Sequence, residues 1–383
     1  MFYPRELLDW VEKVSSHLRH LSKSQAQVLS WYSLAVTLVQ SSGLSQVSYF
    51  LAQWLGQKEN TVRQRLRESL YDATDKRGRG RRELEVEACF APLLKWVLSV
   101  WHSQEGMLFL ALDATTLRET FTVLSVSVLL GRWAIPVAWA VLPANRAGAW
   151  KGHWQRLLKA LSTECVGLQV LVLADRGLYA DWLFIAIQKC GWHPLLRINT
   201  QGNVCVHESG QRLTLAQLAQ RCRGYYWHAS VTCFPGRRAL RCTLLVLHDL
   251  AQQKPWVLLT DLPTSWVSPA WYALRMWIEL GFKVLNSAGF HWHNTRLSDP
   301  ARASRLWLVL ALACLRMALL APPEPAHAST VSSYPRLSTF KQALLSQLAA
   351  LLRQLPLLWQ PLHFHHLPPP PSLEFAPSVF TYP

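Results

Sequence analysis

The chain has 383 residues, half of them hydrophobic, and a formal net charge of +16. That length and apolar content suffice for a large core and exclude a disordered chain. The basic balance, with a pI near 9.8, points to a polyanionic partner, nucleic acid before anionic membrane, although surface charge also serves solubility alone.

From the N-terminus, residues 1–95 read as a helical region with a basic linker. Leu44 to Leu55 and Glu59 to Leu70 form two short amphipathic helices around Gly56-Gln57-Lys58, the spacing of a helix-turn-helix. The second carries Arg63, Arg65 and Arg67, side chains able to reach phosphates and base edges. An ordinary solvated helical hairpin gives the same pattern, and both readings stay open here. The segment Lys76-Arg77-Gly78-Arg79-Gly80-Arg81-Arg82 alternates Gly and Arg. It reads as a flexible basic tether that binds backbone phosphates through Arg79 and Arg81, or merely solvates.

From Met107 the texture changes. The apolar run Met107 to Leu112 closes on Asp113. Strands are expected at about Thr122 to Leu130 and Trp133 to Leu142, joined at Gly131-Arg132, then a helix over Trp150 to Ser162. A second apolar run, Leu168 to Ala174, closes on Asp175, followed by a helix over Ala180 to Cys190 and a strand over His193 to Ile198. Strand–strand–strand–helix–strand–helix–strand is the order of a ribonuclease-H-like sheet. Residues 105–198 are therefore taken as the first part of an α/β core. Residues 199–254 break the rhythm and read as a β-rich insertion, with strands Tyr225 to Phe234 and Arg238 to Leu247 around a Pro235-Gly236 turn. The core resumes over 255–320 with strand Trp256 to Thr260 and a helix over Trp271 to Lys283. Residues 321–383 read as a Pro-rich linker, the helix Leu337 to Leu355 and a tail.

Two apolar stretches fall short of membrane spans. Leu306 to Leu315 is bracketed by Arg305 and Arg316, and Val123 to Leu142 is broken by Arg132 and Pro136. Eight scattered cysteines without a CxxC pair argue against a zinc cluster and for free thiols in a reducing cytoplasm.

An acid closing a buried strand is costly unless paired or metal-bound, which makes Asp113 and Asp175 candidate cation ligands. Glu279 joins them from the following helix. With a helical step of about 100°, Tyr272, Arg275, Glu279, Lys283 and Asn286 fall within an arc of about 80°. Such a polar stripe either faces water or lines a site. Asp261 is expected to serve a turn or helix N-cap before Pro263, Asp181 to match a helix dipole, and Asp299 to cap the helix that follows it.

Together these residues resemble the DDE transposases of bacterial insertion sequences, in the branch with a β-strand insertion before the third acid. Tyr272, Arg275 and Glu279 fall on the first three positions of that branch's Tyr-x2-Arg-x3-Glu-x6-Lys signature, and Asn286 stands at the Lys position. Leu112-Asp113-Ala114-Thr115-Thr116 looks like the family's first-acid strand, and Leu173-Ala174-Asp175-Arg176-Gly177 like its second. The likeness covers roughly Met107 to Met317. It implies a ribonuclease-H-like catalytic core interrupted by a β-rich insertion, with an N-terminal helical DNA-binding region. It also implies metal-dependent cleavage and strand transfer of DNA. Asp113, Asp175 and Glu279 would hold two Mg²⁺ ions, with Mn²⁺ as a substitute. Tyr272 and Arg275 would position the phosphate, and Lys283 would supply the charge that Asn286 lacks. Double-stranded DNA would be the partner of a homodimer in a synaptic complex in the bacterial cytoplasm, with no membrane involved. The Asn at position 286 leaves a second reading, a catalytically impaired DNA-binding relative.

Overall fold

The computed structural model describes residues 4–76, 81–103, 106–117, 119–144, 150–234, 239–250, 254–322, 337–364 and 373–375. In chain order the helices are α1 (Arg5–His17), α2 (Lys23–Val39), α3 (Leu44–Leu55), α4 (Glu59–Ser69) and α5 (Phe90–Ser99). Strands β1 (Trp101–Ser103), β2 (Met107–Leu117), β3 (Phe121–Leu130) and β4 (Trp133–Pro143) come next, then α6 (Trp150–Ser162), β5 (Gln169–Ala174), α7 (Asp181–Lys189) and β6 (His193–Arg197). There follow β7 (Asn203–Val206), β8 (Arg212–Thr214), α8 (Leu215–Arg221), β9 (Tyr225–Cys233), β10 (Leu240–Leu247) and β11 (Trp256–Thr260). The chain ends with α9 (Met276–Lys283), α10 (Pro300–Leu319), α11 (Thr339–Leu352), β12 (Leu362–Phe364) and β13 (Glu374–Phe375). This is a mixed α/β fold, compatible with a ribonuclease-H-like DDE domain.

The chain divides into two compact units. The first comprises residues 1–102, 114–147 and 277–364. Its helices are set by local signals. Ser22 and Gln25 form a capping box at the start of α2, and Gly56, at φ 61°, ends α3 in the left-handed conformation that glycine adopts cheaply. Asp299 caps α10 by accepting from the Arg302 amide at 2.7 Å, as expected, and Pro300 occupies the first turn. β3 and β4 pair through a two-residue turn in which Gly131 and Arg132 both have positive φ, 49° and 67°. That is the hairpin turn whose twist matches flanking strands. Pro136 sits where the ladder shifts register, a place for a residue lacking an N–H. α10 is buried along most of its length and packs on β4 and α2; Trp139 Nε1 donates to the Ser304 carbonyl at 3.2 Å. Arg305 is buried there, donating to the carbonyls of Leu70 and Leu84 and pairing with Asp72 and Glu83. No helix among the described residues is long and apolar enough to cross a membrane.

The second unit comprises residues 103–113, 148–276 and 365–383. Its sheet runs in the order β2-β5-β6-β11-β10-β9-β7-β8, with β13 against β9. β2, β5 and β6 are parallel, and β11, β10, β9, β7 and β8 add in antiparallel fashion. The parallel strands are buried runs, as strands covered on both faces must be. Residues 199–254 hold β7, β8, β9 and β10, which continue the sheet from β11, and also α8, started by a Thr214–Gln217 capping box that the sequence analysis did not foresee. The expected Pro235-Gly236 turn lies outside the described residues. Asp181 opens α7 as foreseen. Asp261 does not cap a helix. Its two oxygens accept from Gln188 Nε2 and bind His193 Nδ1, both at 3.0 Å, so it ties the end of β11 to α7 and β6.

One expectation fails in the segment that carries the signature. The expected single helix over Trp271 to Lys283 is three geometries in series: a 3-10 stretch over Pro269–Arg275, the α-helix α9, and a π-turn over Val284–Ala288. Ser268 caps the first by accepting from the Ala270 amide, and Pro269 opens it. A constant step of about 100° does not hold across such changes, since a 3-10 turn takes about 3.0 residues. The common stripe inferred from that step therefore does not follow.

Candidate active site

The site builds from two strands. β2 and β5 pair in parallel up to Leu112 opposite Ala174, so Asp113 and Asp175 follow at the same level where the pairing stops; Asp175 lies just past β5, but Asp113 does not close its strand as expected, since β2 runs on to Leu117. The apolar runs before them are buried, whereas the aspartates are half-buried, with side chains 16% and 31% exposed. Ligands of parallel α/β sheets bind at this edge of the strands.

The carboxylates are met by cations from two other elements. Arg275, the last residue of the 3-10 stretch, donates from Nη2 to Asp113 Oδ2 at 2.8 Å, and the same nitrogen lies 3.9 Å from Asp175 Oδ2. Arg197, at the end of β6, brings Nη1 to 3.8 Å from Asp175 Oδ1 and donates from Nη2 to the Pro255 carbonyl. The Tyr272 hydroxyl donates to Asp175 Oδ1 at 3.1 Å, and the ring packs edge-on against Trp256. Burial pushes the Tyr272 hydroxyl above its usual range, the Arg275 cation opposes this, and the Asp175 charge reinforces it, so the phenol keeps its proton and remains a donor. Two acids, two guanidiniums and one phenol thus form a charge-balanced cluster.

Four of the residues singled out from sequence therefore meet within the second unit: Asp113, Asp175, Tyr272 and Arg275. Glu279, Lys283 and Asn286 belong to the first unit. There Glu279 and Lys283 are exposed on α9, and Asn286 is half-buried in the π-turn. Asn286 Nδ2 donates to Thr115 Oγ1 at 3.4 Å, and its backbone carbonyl oxygen pairs with His293 Nδ1. Arg197 was missed. The available signal was a basic residue closing an apolar strand that follows the second acid.

On α4, Val62 and Leu66 are buried while Arg63, Arg65 and Arg67 are exposed. Arg65 donates to Gln57, Arg67 donates to Gln64 and stands over the Tyr71 ring, and Arg81 pairs with Glu68. Arg79 lies outside the described residues.

Among the described residues no group of three or more His, Cys, Asp or Glu side chains gathers as a metal site. The Asp113–Asp175 pair nonetheless fits a hard divalent cation by its chemistry. It offers carboxylate oxygens on adjacent strands, and one positively charged nitrogen already lies within 4 Å of both acids.

The second unit is thus a mixed α/β unit that brings two acids together from adjacent strands. Residues 135–316 match the family model of the transposase DDE domain. This bears out the resemblance to DDE transposases drawn from the motifs. The matched segment contains Asp175, Arg197, Tyr272, Arg275 and Glu279 and begins after Asp113. No curated protein matches the chain.

Proposed function

We propose that this protein is a DDE transposase that cleaves the ends of an insertion sequence and joins them to target DNA. The observation that carries the reading is the Asp113–Asp175 pair on adjacent strands, with Asp175 inside the segment that matches the transposase DDE domain and Asp113 ahead of it. Asp113 and Asp175 would hold divalent cations, Mg²⁺ with Mn²⁺ as a substitute, and the signature assigns Glu279 as the third acid. Such ions, when bound, activate the attacking oxygen and offset charge on the leaving oxygen. The chain's own groups orient the phosphodiester. Tyr272 donates a hydrogen bond, and the planar guanidinium of Arg275 suits two-pronged phosphate contact. Arg63, Arg65, Arg67, Arg79 and Arg81 would grip the DNA backbone, with Lys283 supplying charge beside Asn286. A homodimer on paired inverted repeats, in the bacterial cytoplasm, completes the reading.

Asn286 at the signature Lys position favours one alternative, a DNA-binding relative with impaired catalysis. One assay separates the two. DNA carrying the inverted repeats that flank the element is incubated with the protein and Mg²⁺ or a chelator. A transposase nicks the repeat ends only with Mg²⁺. Binding of the repeats without nicking under both conditions would establish the impaired relative instead.

A further inference from the structure

We propose that Arg275 is the resident counter-cation of the Asp113–Asp175 pair: it holds both carboxylates together in the metal-free chain, and a divalent cation binds by taking its place. The proposal rests on the transposase reading and deepens it. One nitrogen, Arg275 Nη2, serves Asp113 Oδ2 at 2.8 Å and stands 3.9 Å from Asp175 Oδ2. The residue is 9% exposed, so its charge is largely removed from water and is balanced locally. The parallel register fixes the two aspartates on adjacent strands, where like charges repel unless a cation lies with them. Arg197 adds charge on the Oδ1 side of Asp175 but is also held by the Pro255 carbonyl, outside the pair. Arg275 alone spans both acids among the ion pairs described.

A hard divalent cation shared by the pair draws on the same two carboxylates that Arg275 Nη2 faces, and it repels the guanidinium. Cation binding and the Arg275 contact are therefore competitive. Two consequences follow. The arginine lowers the chain's affinity for metal, and metal entry releases a guanidinium suited to phosphate beside the acids. Arg275 is in this sense a positioning residue of the metal-free site before it is a phosphate ligand.

The test uses the full chain and MnCl₂ alone, without DNA. Mn²⁺ binding is followed by titration calorimetry, and thermal melting is recorded in chelator and in saturating Mn²⁺. Wild type is compared with Arg275→Gln, Arg275→Lys and Asp175→Asn. Arg275→Gln is expected to bind Mn²⁺ about 10-fold tighter than wild type or better. It should also melt lower than wild type in chelator, with the gap closing in saturating Mn²⁺. Arg275→Lys, which keeps the charge on a flexible stem without the planar fork, should fall between the two and carries the test if the Gln variant does not fold. Asp175→Asn should lose the Mn²⁺ site. Unchanged or weaker Mn²⁺ binding in the arginine variants, with the site still lost in Asp175→Asn, would overturn the counter-cation role and leave the transposase reading standing. If neither wild type nor any variant binds Mn²⁺, the competition is overturned as well, and the transposase reading is then decided by the Mg²⁺-dependent nicking assay alone.

Discussion

At Asn286 a neutral amide stands where the signature has a lysine, and its donor is spent on Thr115 Oγ1 over a long 3.4 Å contact. Asn286→Lys replaces that weak contact by a charge. If the position faces DNA, the variant should bind repeat DNA more tightly at low salt and steepen the dependence of log K on log salt by about 1. An unchanged slope would mean that residue 286 does not reach a phosphate. At this scale the sequence was partly legible. Asp113 and Asp175 stand out because an apolar run ending in an acid is rare without a partner. The partners themselves were not legible as such. Arg275 was visible as a motif residue, but its pairing with Asp113 depends on where a 3-10 stretch ends, and Arg197 reaches Asp175 only because β6 lies beside β5.

Among the elements, α4 offers the sharpest choice. Its buried Val62 and Leu66 leave Arg63, Arg65 and Arg67 on the outside, the pattern of both a recognition helix and a solvated one. Replacing all three arginines by Ala should flatten the salt slope of DNA binding by about 3 if each neutralises a phosphate. A solvated helix would leave the slope as it was. The packing of α1 on α5 carries a pH dependence. His17 stacks on Trp96 with ring centroids 4.3 Å apart, and burial lowers its pKa from the ordinary 6.5, with the Lys13 carbonyl opposing the shift. Below 6.5 the unfolded chain takes up a proton that the folded chain resists. Stability is therefore full above that value and falls as the pH drops toward the lowered one. The melting temperature should be lower at about pH 5.5 than at about pH 7.5, and His17→Gln should narrow the difference. An equal difference in the variant would assign the acid sensitivity to other groups. Strand and helix positions were readable wherever one period ran unbroken, as in β3, β4, α3 and α6. The signature segment was not, because 3-10, α and π turns follow one another there and no single period describes them. α8 is too short for its periodicity to rise above a strand-rich background.

For the whole molecule, the +16 charge is the feature that composition alone made plain, and it accords with a DNA-bound polycation. The charge is unevenly used: some cations, such as Arg305 and Arg316, are buried within the first unit and hold it together, so net charge overstates what DNA can meet. The most direct measurement is cleavage of repeat-bearing DNA in Mg²⁺ by wild type beside Asp175→Asn, a change that keeps the shape and removes the charge, with DNA binding read in the same samples. Cleavage should drop by about 100-fold or more while binding persists, because a carboxylate ligand is lost and the phosphate contacts are not. Equal cleavage by Asp175→Asn would contradict the assignment of this pair as the cation-binding acids of a transposase.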